Sequence, residues 1–250
     1  MNMGPCIHIF DDRREMTEFL LRRWRQIALE CIERKSLFVA ALSGGTTPAD
    51  FYRALASARD ALPWDKTHLF LVDERCVPFS DDDSNYGIIR SLLIEGLNIP
   101  EGNIHAIKAD GPSPAKAAEA YEAELKDFFS LKGEEVPVFD FIGLGIGADG
   151  HTASLFPGSP EAEEPLVPEK KRIAVAVRRN NDIKHPRISL TLTVINNAAN
   201  VVFIVTGKNK AAIVKRVAEE RDQGFPASRV EPLNGTLTFV LDADAASMLK

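Results

Sequence analysis

The chain has 250 residues, of which 45% are hydrophobic and 26% are charged. These are ordinary values for a globular protein, so they exclude a disordered, collagen-like or coiled-coil chain. The 36 acidic residues outnumber the 30 basic residues and give a formal net charge of −6. Such a chain repels nucleic acid and anionic membranes, so we expect neither as a partner, and any phosphate must be held by a local cluster of donors.

The cysteines and the N-terminal segment indicate a reducing compartment. Cys6, Cys31 and Cys76 are odd in number and lack the spacing of a disulfide framework or a zinc site. No stretch approaches the roughly 18 apolar residues of a membrane span, and the first residues have no signal-peptide pattern. We therefore expect a soluble, cytoplasmic protein.

Short apolar runs alternate with amphipathic helical patterns along the chain. Apolar residues step by three or four from Met16 to Cys31, and again from Ala118 to Phe128, as on one face of a helix. The runs between such patterns are bounded by Gly, Asp or Pro, as buried strands are. We predict strands at residues 37–42, 68–72, 139–144, 173–177, 188–194, 201–205 and 237–241.

This alternation predicts an α/β fold of the Rossmann-like kind, with a mostly parallel sheet and helices on both faces. In such folds ligands bind at the carboxyl ends of the strands. No internal repeat is visible, and residues 157–171, rich in Pro and Glu, are interpreted as an excursion and not as a linker. We therefore expect a single domain over residues 1–250.

A glycine turn follows the first predicted strand and opens a helical pattern. It reads Ser43-Gly44-Gly45-Thr46-Thr47-Pro48. We interpret Thr47 as the N-cap of the helix and Pro48 as its first residue. Backbone N–H groups in such a turn bind phosphate, so the first four residues are predicted phosphate ligands, with the hydroxyls as further donors. The alternative is an ordinary tight turn between strand and helix.

Charged residues follow the strand predicted at residues 68–72. Asp73, Glu74 and Arg75 come directly after it and so lie at the same edge of the sheet as the glycine turn. The alternative is a set of solvated loop charges. The acidic run at residues 81–83 predicts a cap for a helix that starts near Asn85.

A glycine-rich segment follows the strand predicted at residues 139–144. Gly145, Gly147 and Gly150 match the spacing of the dinucleotide-binding fingerprint, but the segment continues into a histidine and prolines where that motif requires a helix. We therefore reject a dinucleotide site. What remains is His151, two residues after Asp149, on a turn where glycines allow a ligand close to the backbone.

Two cationic positions come later in the chain. Arg187 begins the run at residues 188–192, and Lys208 and Lys210 lie in the first turn of a helix predicted after Gly207. Cations are unfavourable beside the positive end of a helix dipole, so lysines there indicate a bound anion. Two solvated lysines are the alternative.

In this order, the segments resemble the 6-phosphogluconolactonases, within a wider group that includes the glucosamine-6-phosphate deaminases. The resemblance runs from about Leu37 to Ala211 and rests on residues 42–48, 72–75, 84–86, 143–157, 187–191 and 206–211. For a deaminase we expect an aromatic residue after Glu74 and a glutamate near the end of the His151 segment. This chain has Arg75 and Phe156 there, which favours a lactonase.

The resemblance implies hydrolysis of 6-phospho-D-glucono-1,5-lactone in the oxidative pentose phosphate pathway, with this lactone as the ligand and no cofactor or metal. His151 is the expected general base for water, oriented by Asp149 or Asp73. The phosphate is expected on the glycine turn with Lys210 and Arg187, while Arg75 serves either the phosphate or the oxyanion. A phosphosugar isomerase or deaminase, or a phosphosugar-sensing binding protein, remains the alternative. The oligomeric state stays open between monomer and dimer.

Overall fold

The computed structural model describes residues 4–163, 172–178 and 184–250, and within them ten strands form two sheets. The strands are β1 (Cys6–Phe10), β2 (Phe38–Leu42), β3 (Thr67–Leu71), β4 (Asp73–Arg75), β5 (Ile104–His105), β6 (Phe141–Leu144), β7 (Ala174–Val177), β8 (Arg187–Leu190), β9 (Asn200–Val205) and β10 (Thr236–Asp242). The helices are α1 (Arg13–Lys35), α2 (Ala49–Ser57), α3 (Asn85–Leu92), α4 (Pro114–Phe128), α5 (Pro160–Glu163), α6 (Leu192–Ile195), α7 (Ala211–Val214) and α8 (Ala243–Ala246).

The larger sheet has seven strands in the order β1-β10-β9-β6-β2-β3-β5. All six of its strand pairs are parallel. The strands therefore end at one edge, and the turns after β2, β3, β6 and β9 meet there. This confirms the predicted α/β class and places the glycine turn, Asp73 and the His151 segment at a common edge.

Helices cover both faces of this sheet, as predicted. Phe38 of β2 and Phe141 of β6 point to one face, where both rings contact Trp24 of α1. Phe70 of β3 lies at a register position of the opposite parity, and its ring contacts Phe128 of α4. Because side chains alternate along a strand, α1 and α4 lie on opposite faces.

A second, antiparallel sheet was not predicted from the sequence. It has the order β4-β8-β7, and it follows directly from β3, since Leu190 N–H donates to the carbonyl of Val72, between β3 and β4. The run at residues 173–177 is a strand, but of this sheet. The run at 188–194 is strand only to Leu190, because the chain then turns into α6.

Two expected helix caps differ from the structure. Helix α2 begins at Ala49 after Pro48, and Thr47 makes no capping hydrogen bond. Helix α3 begins at Asn85 as predicted, but its cap is Ser84, whose Oγ accepts from the N–H of Gly87, and not the acidic run before it. None of the helices within the described residues combines the length and hydropathy that crossing a membrane requires.

Candidate active site

The glycine turn after β2 leaves several backbone donors unused. No described residue accepts a hydrogen bond from the N–H groups of Gly44, Gly45 or Thr46. Gly45 has a φ of +95°, which L-residues other than glycine rarely adopt, so the turn is built on a position that favours glycine. The turn precedes the nine-residue helix α2. Free N–H groups before a helix form a site for an anion.

One expected donor of this turn is already used. The hydroxyl of Ser43 donates to the carbonyl of Gly143, with Oγ and O 2.8 Å apart. In this conformation the hydroxyl therefore has no further proton to donate to a phosphate. The bond instead ties the turn after β2 to the end of β6.

Lys210 and the glycine turn line one cleft. The cleft holds about 530 Å³, part of it open to solvent, and is lined by residues 42–48, by Gly143, Gly145 and Ile146, and by Lys210. The Nζ of Lys210 donates to the carbonyl of Ile146 at 2.8 Å, which holds the ammonium near the turn. Burial lowers the pKa of Lys210, and the charge of Asp149 opposes this shift.

His151 and Asp149 form a hydrogen-bonded pair next to this cleft. The Nδ1 of His151 lies 2.5 Å from Oδ1 of Asp149, and no described residue hydrogen-bonds to its Nε2. Burial raises the pKa of Asp149, but the hydrogen bond from the imidazole and its charge outweigh burial and bring the pKa to about 2. Asp149 is thus an anion whose Oδ1 accepts a hydrogen bond from Nδ1–H, which leaves Nε2 as the basic nitrogen.

Gly147, one of the three glycines that match the dinucleotide fingerprint, is required here for a steric reason. A Cβ atom on Gly147 would lie 2.1 Å from Nδ1 of His151 and 2.4 Å from Oδ1 of Asp149. Only glycine therefore leaves room for the pair at this position. No helix follows Gly150 until α5, which agrees with the rejection of a nucleotide site.

Phe156 joins His151 to Arg187. The rings of His151 and Phe156 lie 4.6 Å apart, and the guanidinium carbon of Arg187 lies 5.4 Å from the centre of the Phe156 ring. Phe156 opens the excursion predicted at residues 157–171. That excursion is described only as far as Glu163, and residues 164–171 lie outside the described residues.

Arg187 and Arg75 are direct partners in the second sheet. They oppose each other in the β4–β8 register, and the Nε of each is buried without a hydrogen-bond partner among the described residues. Burial lowers the pKa of Arg187, Asp73 opposes that shift and Arg75 adds to it. Two neighbouring guanidinium groups with unused donors form a cation pair that favours an anion.

Asp73 does not touch His151 in this structure. Its Oδ1 accepts from Nδ2 of Asn85 at 3.1 Å, and its Oδ2 lies 2.6 Å from Oγ of Ser154. Of the two carboxylates left open by the sequence, Asp149 is the one that hydrogen-bonds the imidazole.

Sequence reasoning missed several residues of this region as site residues. They are Glu74, Asn85, Ser154 and Phe156. Glu74 is fully buried and accepts hydrogen bonds from the N–H groups of Asn85 and Tyr86, so its carboxylate binds the N-terminus of α3. A buried polar residue that follows a strand is a signal for such a role, but the sequence alone does not distinguish Glu74 from a solvated charge.

Comparisons with known proteins find similar sequences and folds over nearly the whole chain. The sequence profile of the family described as glucosamine-6-phosphate isomerases/6-phosphogluconolactonase matches residues 11–239. A 6-phosphogluconolactonase of Synechocystis sp. is 37% identical over 99% of this chain and 100% of its own length.

Two solved structures show the same fold. A 6-phosphogluconolactonase from Trypanosoma brucei is 28% identical and superimposes with a TM-score of 0.85 over 99% of both chains. A monomeric glucosamine-6-phosphate deaminase is 19% identical with a TM-score of 0.78, over 97% of this chain and 99% of its own. The second likeness shows the fold alone.

Proposed function

The chain belongs to the glucosamine-6-phosphate isomerase/6-phosphogluconolactonase family, and from that premise we propose the roles of its residues. It hydrolyses 6-phospho-D-glucono-1,5-lactone to 6-phosphogluconate, a step of the oxidative pentose phosphate pathway. A cytoplasmic location belongs to the same proposal and is supported by three free cysteines.

The observation that supports the mechanism best is the His151–Asp149 hydrogen bond of 2.5 Å. It holds the imidazole in the tautomer whose Nε2 accepts a proton. Water loses a proton to Nε2 as its oxygen attacks C1, and Asp149 stabilises the imidazolium that forms. The tetrahedral intermediate then breaks the bond between C1 and the ring oxygen, and the imidazolium returns the proton to that oxygen.

The phosphate of the lactone binds to the glycine turn, Lys210 and Arg187. The turn offers the N–H groups of Gly44, Gly45 and Thr46, and the two side chains supply positive charge. Lys210 and Arg187 both lie within electrostatic reach of Asp149 and therefore near His151. Charge-assisted hydrogen bonds of this kind are about twice as strong as neutral ones, which offsets the repulsion from a net charge of −6.

Arg75 adds to the positive potential at Arg187. Its Nη1 donates to the carbonyl of Asp83 at 2.6 Å, which fixes its guanidinium within the cation pair, next to Arg187. Arg75→Gln separates its two candidate roles. A higher KM with an unchanged kcat assigns it to the phosphate, and a lower kcat with an unchanged KM assigns it to the oxyanion.

The function is tested with freshly made 6-phosphogluconolactone. We expect the protein to accelerate loss of this lactone well beyond its spontaneous hydrolysis, and to act much less on unphosphorylated gluconolactone because the phosphate contacts are then missing. Release of ammonia from glucosamine 6-phosphate is measured in parallel. Ammonia release without lactone hydrolysis would assign the chain to the deaminase branch, and equal rates on both lactones would contradict the phosphate site.

A further inference from the structure

A series of hydrogen-bonded side chains connects α3 to Arg187 through the interior. Nη1 of Arg187 lies 3.5 Å from Oγ of Ser154, and that oxygen lies 2.6 Å from Oδ2 of Asp73. The other carboxylate oxygen accepts from Nδ2 of Asn85 at 3.1 Å. A guanidinium only donates, an amide nitrogen only donates, and a hydroxyl does both, so the directions are consistent. The series connects the guanidinium of Arg187 to the buried carboxylate of Asp73.

Asp73 is held at both its backbone and its side chain by the same amide. Nδ2 of Asn85 also donates to the carbonyl of Asp73 at 2.9 Å, so this nitrogen serves two acceptors and the amide cannot turn over without losing both. The backbone N–H of Asn85 donates to Glu74, which fixes the residue at the start of α3. Asn85 is 2% exposed. Its amide is therefore a rigid clamp on Asp73.

The same amide also abuts the glycine turn. A Cβ atom on Gly44 would lie 2.0 Å from Oδ1 of Asn85, and this oxygen is buried without a donor among the described residues. Asn85 thus lies between the turn and Asp73, two parts of the site that come from different strands. Any movement of this amide disturbs both.

The backbone before Ser154 is strained in a way that serves this contact. Ala153 has a φ of 52°, in the left-handed region that residues other than glycine rarely adopt. Such strain persists only where the surroundings enforce it. Here the N–H of Ser154 donates to Oγ of Ser189 in β8, and its hydroxyl contacts Asp73. Ser154 is fully buried, so it has no solvent to replace these partners.

We propose that Ser154 and Asn85 are positioning residues that fix the guanidinium of Arg187 for the phosphate through the buried carboxylate of Asp73. Arg75 lies beside Arg187 and repels it, so without a counter-ion Arg187 would move toward solvent. Asp73 supplies that negative charge, and the hydroxyl of Ser154 lies between its carboxylate and the guanidinium. This inference rests on the proposed function, in which Arg187 is a phosphate ligand.

The test is a double-mutant cycle of Ser154→Ala and Arg187→Gln. We expect each single variant to raise the KM for 6-phosphogluconolactone by about fivefold or more, with kcat within about twofold of the wild type. The double variant should have the KM of Arg187→Gln alone, because Ser154 acts through Arg187. Asn85→Ala should give the same KM pattern as Ser154→Ala.

Ser84→Ala is the matched control. It removes a buried serine hydroxyl at the N-terminus of α3, directly before Asn85, but that hydroxyl contacts Glu74 and not Asp73. We expect Ser84→Ala to lower the melting temperature and leave KM unchanged. Melting temperatures of all variants are measured, and Ser154→Ala provides the result if Asn85→Ala does not fold.

A binding measurement separates this inference from the proposed function. The Kd of 6-phosphogluconate is measured by calorimetry for the same variants. If the wild type does not hydrolyse the lactone, the proposed function fails, while a non-additive loss of affinity in the cycle still supports the positioning role. Independent, additive effects of Ser154→Ala and Arg187→Gln, or an equal rise in KM for Ser84→Ala, would overturn it.

Discussion

The hydrogen bond between His151 and Asp149 decides which nitrogen of the imidazole is basic. We expect His151→Ala to lower kcat by about 10² to 10⁴-fold, the usual contribution of a general base. Asp149→Asn should lower kcat by less, because the imidazole remains but loses the charge that stabilises its cationic form. Initial rates on fresh lactone measure both. A near-normal kcat for His151→Ala would contradict the mechanism.

We expect Lys210 to make phosphate binding weaker at alkaline pH. Its pKa is lowered from 10.5 by burial, so the folded protein loses this charge at a lower pH than an ordinary lysine does. The proposed phosphate contact needs the cationic form of Lys210, so affinity for 6-phosphogluconate should fall as pH rises, beginning below pH 10.5. Calorimetric titration across this range measures it.

Lys210→Arg is the control for this pH dependence. Arginine keeps its charge in the whole range, so the variant should lose most of the alkaline decline. An equal decline in the wild type and in Lys210→Arg would show that another group is responsible.

The sequence was sufficient to predict that His151 has a carboxylate nearby, because Asp149 lies only two residues before it on the same turn. They did not decide between Asp149 and Asp73, because Asp73 comes from another strand and its distance depends on the whole fold. The contact that the Ser43 side chain makes in the structure was not predicted either. Its hydroxyl donates to the carbonyl of Gly143, and a local sequence pattern cannot show a contact with a residue 100 positions away.

At the scale of elements, Trp24 is the largest of the side chains that the long helix α1 buries. Trp24 is fully buried, and its ring contacts Phe38, Phe51, Phe141 and Trp64. We expect Trp24→Ala to lower the free energy of unfolding by about 3–5 kcal/mol, the usual cost of removing a large buried ring. Urea denaturation measures the loss.

Arg25→Ala is the control for this change, since Arg25 is the exposed neighbour of Trp24 on the same helix. It should change the free energy of unfolding by about 0.5 kcal/mol or less. A similar loss in both variants would show that helix propensity, and not the aromatic contact, limits stability.

The periodicity of α1 and α4 was sufficient to predict both helices, because a buried stripe repeats over many residues. Short elements carry too few positions for this. Strand β4 has three residues and β5 has two, and both form because partners from elsewhere supply their hydrogen bonds. The antiparallel pairing that joins Arg75 to Arg187 was therefore not visible in either segment alone.

At the scale of the molecule, the order of strands predicts a gradient of protection. Strand β9 lies between β10 and β6, whereas β1 pairs with β10 alone among the described strands. We expect the amides of β9 to exchange with deuterium slowest and those of β1 to exchange much faster. Hydrogen exchange with mass spectrometry measures this. Equal protection of β1 and β9 would mean that the outer edge of β1 is covered in solution.

The position of β10 also sets the order of events as the chain is made. Strand β1 comes before every other described strand along the chain, yet its neighbour in the sheet begins only at Thr236. The residues of β1 therefore have no sheet partner until residues 236–242 have been synthesised. This end of the sheet can therefore form only after all seven strands of the larger sheet have been synthesised, which makes the β1–β10 pairing a late step in folding.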